Sequence, residues 1–356
     1  MAKNVLVTGG CGFIGTNICE YFIKKGYKIT AFDNLSRKGV YFNLEYLKKT
    51  YKDKFNFIWG DVRNSQDLDR LSGYDGIIHL AANPGIPRSI EQPIYDFEVN
   101  ARGTLNVLEF SKNRGKIPII FASTNKVYSD KVNEIALIEK EKRYVFAEGL
   151  FEKVYYDGAT DLGFSEEFPI DGCGLHPHSP YGCSKYAGDV YCQEYYHVFG
   201  VPTVINRMSC IYGRHQFGVS EQGWLAWFCI AKFLNKPLII YGDGKQVRDS
   251  LYGEDLAELY EMELNNIDIH AGNVYNIGGG IENSVSLLET IEYLDSLEPK
   301  KDKLSYTFED WRPADHKVYI SDISKISYFW QPKTDVLNGI ELTYNWIKNN
   351  KDLWID

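Results

Sequence analysis

The sequence lacks the features of a membrane or secreted protein. It contains no run of about 18 uncharged apolar residues, so we expect no membrane-spanning helix. The N-terminus leads straight into an apolar strand without a secretory signal, and the seven cysteines form no CxxC pair. We therefore expect reduced thiols and a cytoplasmic protein.

Positive charge is also scarce. The net charge is -9, the pI is about 5.4, and no stretch is dense in lysine and arginine, which argues against nucleic acid as a partner. A small anionic ligand stays possible, because it needs only a few cationic side chains. At 356 residues, the chain is long enough for two lobes.

The first half of the chain alternates apolar runs with helical patterns. Apolar runs at 4–8, 28–32, 55–59, 76–80 and 117–122 predict strands, and the longest helical pattern between them covers residues 93–113. Such alternation predicts parallel pairing through right-handed crossovers. We expect an α/β protein with a Rossmann-type, doubly wound parallel sheet and a smaller mixed α/β substrate-binding lobe.

A glycine-rich turn follows the first strand. Gly9, Gly12 and Gly15 form a GxxGxxG pattern, in which the first glycine permits the tight turn and the second lets the backbone approach a pyrophosphate. The helix that begins at Phe13 and Ile14 would present its free N–H groups to that pyrophosphate. A glycine turn alone is weak evidence, because structural turns share it.

The ends of the following strands strengthen the prediction of a dinucleotide. Asp33 ends the second strand, followed by Asn34, where a carboxylate accepts hydrogen bonds from the adenine ribose and repels a 2′-phosphate. We therefore predict NAD rather than NADP, and interpret Arg37 and Lys38 as solvated loop charges. Further cofactor contacts are expected from Asp61, Val62, Leu80, Ala81 and Ala82.

A candidate catalytic group lies far downstream. Tyr181 and Lys185 form YxxxK at the start of a predicted helix over 180–199, so both side chains share one helix face. A nearby ammonium would favour the phenolate and make Tyr181 a general base, with Lys185 also contacting the cofactor. Thr124, just beyond the fifth strand, is expected to orient the reacting hydroxyl, with Ser123 as the alternative.

The rest of the chain is less regular. Residues 130–178 form a long connection that we interpret as a functional segment or lid, and a strand is predicted at 203–206. We expect an NAD-binding domain over 1–206, to which part of 246–276 returns. Residues 207–356 are predicted to form mainly the discontinuous substrate-binding lobe.

Several motifs together resemble an extended short-chain dehydrogenase/reductase of the nucleotide-sugar epimerase/dehydratase type. Beside the glycine turn and YxxxK, they are Asn100-x-x-Gly103-Thr104 and Arg312-Pro-Ala-Asp315, and the resemblance covers nearly the whole chain. It implies that Asn100 also binds the cofactor. The longer strings STNKVY (123–128), SPYGCSK (179–185) and GDGKQVRD (242–249) are similar to members that invert C2 of a CDP-linked deoxysugar.

The resemblance also implies a substrate pocket. Arg248 and Arg312 match positions that hold the substrate pyrophosphate, and Asp315 is expected to hold Arg312 or a ribose hydroxyl. The remaining substrate-binding candidates are Asn206, Gln216 and Trp224. No metal site is predicted, because His176 and His178 lack partners at metal-ligand spacing.

Two positions separate epimerisation from dehydration. Dehydratases of this type carry an Asp-Glu pair after the catalytic threonine, whereas this chain has Asn125 and Lys126, which cannot supply that acid and base. We therefore expect an NAD-dependent nucleotide-sugar epimerase, by resemblance acting at C2 of a CDP-linked deoxyhexose, and a homodimer or homotetramer.

Three alternatives stay open at this point: an epimerase acting at C4, a net dehydrogenase or reductase, and a non-catalytic dinucleotide-binding protein. The segment 83–89 leaves the sugar undecided, because Arg88 introduces a charge where we expect the sugar to lie.

Overall fold

The first strands of the chain pair in parallel, as their alternation with helices predicted. The computed structural model describes residues 3–128, 130–147, 158–170, 177–312 and 315–354. Within these ranges the strands are β1 Asn4–Thr8, β2 Lys28–Asp33, β3 Phe55–Trp59, β4 Gly76–His79, β5 Ile119–Thr124, β6 Leu137–Glu139, β7 Tyr144–Phe146, β8 Ala159–Thr160, β9 Gly163–Phe164, β10 Thr203–Met208, β11 Cys210–Tyr212, β12 Leu238–Tyr241, β13 Val247–Tyr252, β14 Val274–Ile277, β15 Ser284–Ser286, β16 Tyr306–Glu309 and β17 Val318–Tyr319.

The helices lie between and after these strands. They are α1 Phe13–Lys24, α2 Val40–Tyr51, α3 Ser65–Asp69, α4 Ile86–Glu91, α5 Pro93–Phe97, α6 Gly103–Asn113, α7 Ser179–Phe199, α8 Trp224–Leu234, α9 Gly253–Asn265, α10 Ile267–His270, α11 Leu287–Leu297, α12 Ser324–Ser327 and α13 Val336–Asn349. A π-helical segment, Glu98–Arg102, joins α5 to α6 within the region predicted as one helix. None of the helices in the described ranges is long and apolar enough to cross a bilayer.

The large sheet has the strand order β14-β10-β5-β4-β1-β2-β3. β1 pairs in parallel with β2 on one side and with β4 on the other, and β3 and β5 extend the sheet outward. Leu6, Ile77 and Phe121 on these strands are completely buried in its core. Burial of each such side chain contributes about 1.5–3 kcal/mol to stability. The strands of a parallel sheet are covered on both faces, so their sequences are continuous apolar runs. The predicted fold class is confirmed.

The chain forms two compact units. The first comprises Met1–Val127, Ser179–Arg207 and Gly253–Tyr275, and the second comprises Tyr128–His178, Met208–Tyr252 and Asn276–Asp356. In the first unit α9 packs against α1. The second unit has its own apolar core around α8, α11 and α13, which includes Phe228, Leu294 and Ile340.

This division differs from the predicted boundary in the connection after β5. The described parts of the connection 130–178 belong to the second unit, because Tyr144 N donates to Lys245 O at 3.0 Å and Phe164 N donates to Ile320 O at 2.8 Å. The segment that returns to the first unit is Gly253–Tyr275, inside the predicted range 246–276, and β13 before it pairs with β11, β15 and β17 of the second unit. Such long-range pairing leaves no local sequence signal.

Asn206 lies inside the first unit, away from the position predicted for it. Its side chain is fully buried on β10, and its Nδ2 donates to Glu263 Oε2 on α9 at 2.8 Å. Within the described residues, Asn206 Oδ1 and Glu263 Oε1 have no hydrogen-bond partner. Burial raises the pKa of Glu263 to about 8. Asn206 therefore pairs with a buried acid instead of lining a substrate pocket.

We predict that Glu263 makes folding pH-dependent. Its folded pKa is raised, so the stability it contributes is fully present below its ordinary pKa of 4.5 and is lost as the pH rises through about 8. In urea titrations from about pH 5 to about pH 9, the unfolding free energy of the wild type should fall relative to that of Glu263→Gln. The relative loss should reach a few kcal/mol, because one pKa unit corresponds to about 1.4 kcal/mol.

The exposed Glu45→Gln on α2 is the matched control and should follow the wild type across the same pH range. Parallel pH dependences for the wild type and Glu263→Gln would show that the buried carboxyl does not titrate as expected.

Candidate active site

The carboxyl ends of the parallel strands form one edge of the sheet in the first unit. β1 lies between β2 and β4, so the strand order reverses at this point. In open α/β sheets, ligands bind at such a switch point. The turn after β1 and the residues that end β2 and β4 therefore surround the expected ligand position.

The glycine turn has room for a ligand at one of its three glycines. Gly9 has a φ of +69°, and a Cβ there would lie 2.9 Å from Ala81 N. A Cβ on Gly15 would lie 2.3 Å from Gly9 O, whereas a Cβ on Gly12 would meet only Gly9 O, at 3.2 Å. α1 starts after Gly12 without a side-chain cap, so its first N–H groups are left for an anion.

Asp33 connects the end of β2 to this turn. Its Oδ2 accepts from Cys11 N at 3.0 Å and its Oδ1 accepts from Leu35 N at 2.8 Å. Burial raises the pKa of Asp33, and these two backbone N–H groups act in the opposite direction. The carboxylate thus lies beside the turn, at the position that suits an adenine ribose.

Asp61 connects the loops after β2 and β3. Its carboxylate accepts from Arg63 Nε at 3.0 Å, from Arg63 Nη2 at 2.8 Å and from Asn34 Nδ2 at 2.8 Å. Burial raises the pKa of Asp61, but these hydrogen bonds outweigh it and hold the pKa below its ordinary value. Asn34 and Asp61 therefore brace each other beside the predicted adenine position.

Small and apolar residues complete this edge. Leu80 N donates to Thr8 O at 3.1 Å, and Ala81 N donates to Thr8 Oγ1 at 3.3 Å, so the end of β4 passes close to the turn. Ala82 follows and is half-buried. Val62 is buried against α6, where a Cβ on Gly103 would lie 2.7 Å from Val62 Cγ2.

Asn100 has a different role from the predicted cofactor contact. It is 1% exposed, and its Nδ2 lies within hydrogen-bonding distance of Asn83 O, Asp96 Oδ1 and Ser184 Oγ, at 3.1, 3.1 and 2.9 Å. Its Oδ1 accepts from Asn83 N at 2.8 Å. Because every polar atom of this side chain is in use, Asn100 braces the loop after β4 against α7 instead of offering its amide to a ligand.

Thr124, Tyr181 and Lys185 come together in the first unit. Thr124 ends β5, and its hydroxyl hydrogen-bonds the half-buried Tyr181. Lys185, one turn further along α7, donates from Nζ to Ala122 O at 2.5 Å and lies 4.3 Å from the centre of the Phe121 ring. Ser123, the alternative to Thr124, donates to Asp189 Oδ2 at 2.6 Å and is therefore engaged elsewhere.

The electrostatics of Tyr181 involve groups that the sequence did not indicate. Burial raises the pKa of Tyr181 to about 12, while the Thr124 hydrogen bond and the charge of Arg37 lower it. Burial lowers the pKa of Lys185 to about 8. Arg37 is therefore a further cation that favours the phenolate, and Lys185 is also bonded to the backbone of β5.

Arg37 is consequently not the solvated loop charge that we had expected. It is half-buried, and burial together with the charge of Arg88 lowers its pKa, opposed by Tyr95, Tyr181 and Asp33. Lys38 is exposed, as expected. Arg88 lies with its guanidinium 5.0 Å from the centre of the Tyr95 ring.

The second unit contains the remaining substrate candidates. Arg248 Nη2 pairs with Asp315 Oδ1 at 2.6 Å, so Asp315 holds Arg248 and not Arg312 as expected. Arg312 stacks on Tyr241, 3.9 Å from the ring centre, and donates to Ser220 O at 3.1 Å. The motif Arg312-Pro-Ala-Asp315 thus contributes the guanidinium of Arg312, and its Asp315 carboxylate orients the guanidinium of Arg248.

Gln216 and Trp224 also lie in the second unit. Trp224 Nε1 donates to Cys210 Sγ at 3.0 Å. Gln216 Oε1 is buried without a hydrogen-bond partner among the described residues, and such an atom is a natural acceptor for a ligand donor.

His178, one of the two histidines just before α7, is engaged by the backbone. His178 Nε2 donates to Ile170 O at 2.6 Å, and His176 lies outside the described residues. Within the part of the chain that the structure describes, no three His, Cys, Asp or Glu side chains could hold a metal ion together.

A family model covers most of this architecture. Residues 5–278 match the model of the NAD dependent epimerase/dehydratase family. The chain belongs to this family. The predictions of an enzyme of this family and of NAD as its cofactor are thereby confirmed.

Individual relatives cover the whole length of this family member. It is 40% identical to a CDP-paratose 2-epimerase of Salmonella typhi over 96% of this chain and 98% of the relative. A UDP-glucuronic acid 4-epimerase from Bacillus cereus, solved with UDP-glucuronic acid and NAD, superimposes with a TM-score of 0.76 at 28% identity, covering 97% of this chain and 99% of that one. A dTDP-glucose 4,6-dehydratase from Bacillus anthracis str. Ames, in complex with NAD, gives a TM-score of 0.76 at 27% identity, covering 99% of each chain.

The residues of this epimerase/dehydratase family member fit its cofactor. The space at Gly12 and the uncapped start of α1 suit a pyrophosphate, and Asp33 lies where a ribose diol binds.

Arg37 and the buried acid Asp96 were not assigned to the candidate site from the sequence. The signal for Arg37 was its place in the loop directly after Asp33, whereas Asp96 has no motif and is found only through its contacts.

We predict that Gly12 and Gly15 respond differently to alanine. Gly12→Ala should fold with a melting temperature near that of the wild type, because its Cβ meets only Gly9 O at 3.2 Å. It should lose at least about 10-fold in NAD affinity, or about 1.4 kcal/mol, because the methyl group enters the pyrophosphate position. NAD released from the purified protein by denaturation, quantified by mass spectrometry, measures this loss.

Gly15→Ala is the structural counterpart. Its Cβ would lie 2.3 Å from Gly9 O, so the turn itself must move and the unfolding free energy should fall by about 1–3 kcal/mol. Full NAD content in Gly12→Ala would contradict the assignment of the pyrophosphate to this turn.

Proposed function

We propose that the protein is an NAD-dependent epimerase that inverts C2 of a CDP-linked deoxyhexose. The observation that carries the proposal is the 40% identity, over 96% of the chain, to a CDP-paratose 2-epimerase. The Thr124–Tyr181 contact beside Lys185 supports it, because these groups suit oxidation of a sugar hydroxyl.

NAD would be held at Gly12, at the start of α1 and by Asp33, and would supply the hydride acceptor for the sugar carbon and the donor for its return. Tyr181 takes the proton of the sugar hydroxyl as the hydride leaves and gives it back after the keto-sugar has turned. Arg37 and the Thr124 hydrogen bond favour the phenolate that this step requires, against the effect of burial on its pKa. A positively charged nicotinamide would lower the pKa of Tyr181 further.

Thr124 and Lys185 position the reaction. The Thr124 hydroxyl contacts Tyr181 and so marks the place of the reacting hydroxyl. Lys185, anchored to Ala122 O, would hold the nicotinamide ribose with its remaining N–H groups. Because the hydride returns, the reaction has no net redox change, and NAD should stay bound through purification.

Dehydration is disfavoured by the residues after Thr124. Asn125 is buried directly beyond β5, and Lys126 follows it in the same short turn. An amide and an ammonium do not provide the acid and base that loss of water requires. The site is therefore better suited to returning a hydride than to eliminating water.

Arg248 and Arg312 would anchor the substrate pyrophosphate. The Arg248–Asp315 pair, 2.6 Å long, fixes one guanidinium, and Tyr241 supports the other by stacking. Guanidinium groups bind phosphate oxygens through paired N–H donors, which would hold the nucleotide while the sugar turns. Gln216 and Trp224 are proposed to line the same substrate.

We predict inversion at C2 without exchange of the carbon-bound proton with solvent. CDP-, UDP- and GDP-linked sugars incubated in deuterated buffer should show by NMR that a CDP-deoxyhexose is converted, with no deuterium at C2. Deuterium uptake would indicate a carbanion mechanism, and inversion at C4 would identify the main alternative. NADH accumulating in step with product would indicate a net dehydrogenase.

Tyr181→Phe is the matched variant for this experiment. It lacks only the phenolic oxygen, so it should keep its NAD and lose most turnover, about 100-fold or more, since a general base typically contributes that much. Full turnover by Tyr181→Phe would contradict the proposed mechanism.

We also propose that the protein is a homodimer or homotetramer. In the first unit α5 exposes two apolar side chains that lie one turn apart on the helix: Ile94 is 78% exposed and Phe97 is 55% exposed. Apolar side chains grouped in this way are typical of a surface that another protein covers.

Light scattering should therefore give at least twice the mass of one chain, and Ile94→Glu with Phe97→Glu should reduce it to that of one chain. Tyr41→Glu on α2, where the side chain is 61% exposed, should leave the mass unchanged. A monomeric wild type would contradict the proposed assembly.

A further inference from the structure

A buried acid outside the proposed catalytic group lies under the start of α7. Asp96 on α5 is completely buried. Its Oδ1 accepts from Asn83 Nδ2 at 2.7 Å and from Asn100 Nδ2 at 3.1 Å, and its Oδ2 accepts from Ser184 Oγ at 2.5 Å. Among the described residues, no ion pair to Asp96 is formed, so only neutral donors hold this carboxylate.

Ser184 transmits this contact to the proposed catalytic residues. It lies on α7 between Tyr181 and Lys185, and its Oγ is also 3.0 Å from Tyr181 O. Tyr181 N donates to Ser89 Oγ at 3.1 Å, so the first turn of α7 is held from two neighbouring helices. A shift of this turn would move Tyr181 and Lys185 together.

The backbone near Asp96 departs from regular geometry. Asn100 belongs to the π-helical segment Glu98–Arg102, which follows directly after α5. Such π segments occur frequently at functional sites, because the widened turn redirects side chains. Here the segment carries the Asn100 amide that contacts both Asp96 and Ser184.

We propose that Asp96 is a positioning residue of this enzyme, which fixes the first turn of α7 through Ser184 and places a carboxylate beside Tyr181 and Lys185. The proposal rests on the proposed function. Both oxygens of Asp96 accept hydrogen bonds, whereas an amide would offer one acceptor oxygen and place N–H donors at the other position.

The charge of Asp96 acts on both titrating groups. After burial, which dominates each shift, it raises the pKa of Tyr181 and also raises the pKa of Lys185. Asp96 therefore favours the charged form of the buried Lys185. It also favours the protonated form of Tyr181, from which the proton is returned to the sugar.

Other charged and titratable groups act on the same pair. Arg37, in the loop after β2, acts on Tyr181 and is itself affected by Arg88 of α4 and Tyr95 of α5. Asp189 and Cys192 of α7 act on Lys185, and Lys185 in turn acts on His79 of β4. None of these groups accepts the hydrogen bond from Ser184 that distinguishes Asp96.

The test is the pH dependence of kcat in Asp96→Asn. Asp96 favours the protonated forms of both Tyr181 and Lys185, so loss of its charge should move both limbs of the profile to lower pH, by about 0.5–1 unit. Ser184→Ala keeps the charge but removes the link, so it should lower kcat about 10-fold or more and leave both limbs in place. The exposed Glu91→Gln removes the same charge from α4 and should change neither.

Unmoved limbs in Asp96→Asn would overturn the electrostatic role, and a wild-type kcat in Ser184→Ala would overturn the positioning role. Asp96→Ser is a second neutral variant if Asp96→Asn does not fold. If neither folds, the kcat of Ser184→Ala still decides the positioning role.

The electrostatic role of Asp96 can also be tested if the proposed function is wrong. If the wild type inverts no sugar, the ultraviolet titration of the Tyr181 phenolate in the NAD-bound protein still tests Asp96. The Tyr181 signal is isolated by subtracting Tyr181→Phe, and it should titrate at lower pH in Asp96→Asn. An unchanged titration would overturn the electrostatic role without any measurement of activity.

Discussion

The parallel pairing of β1 with β2 and with β4 is the constraint on which the site depends. It brings the carboxyl ends of the strands to one edge, so that residues far apart in the chain become neighbours. The turn after β1 lies so close to the end of β4 that a side chain at Gly9 would clash with Ala81 N. Asp33 then bonds back to the same turn through Cys11 N, which ties β2 into the arrangement.

The same edge carries an electrostatic balance. Burial makes the phenolate of Tyr181 and the ammonium of Lys185 unfavourable, and each is compensated by different neighbours. Thr124 and Arg37 favour the phenolate of Tyr181, whereas Cys192, Asp189 and Asp96 favour the charged form of Lys185. Asp96 also raises the pKa of Tyr181 while Arg37 lowers it, so charges of opposite sign act on the proposed base.

The fold and the cofactor edge were largely predictable from the sequence. Apolar runs, the glycine pattern and Asp33 are local signals, and each corresponds to a strand, a turn or a strand end in the structure. Long-range partners were not predictable. Asn206 was expected at the substrate and pairs with Glu263, and Asp315 holds Arg248, because a side chain's partner depends on which strands and helices become neighbours.

The sequence by itself determined the fold class, the family and the use of NAD, because these depend on short patterns with fixed spacing such as Gly9–Gly15 and Tyr181–Lys185. Only the tertiary structure decided which charges act on Tyr181. Arg37 and Asp96 reach this helix from two other elements, and Coulomb interactions depend on distance and burial in space, which spacing along the chain does not encode.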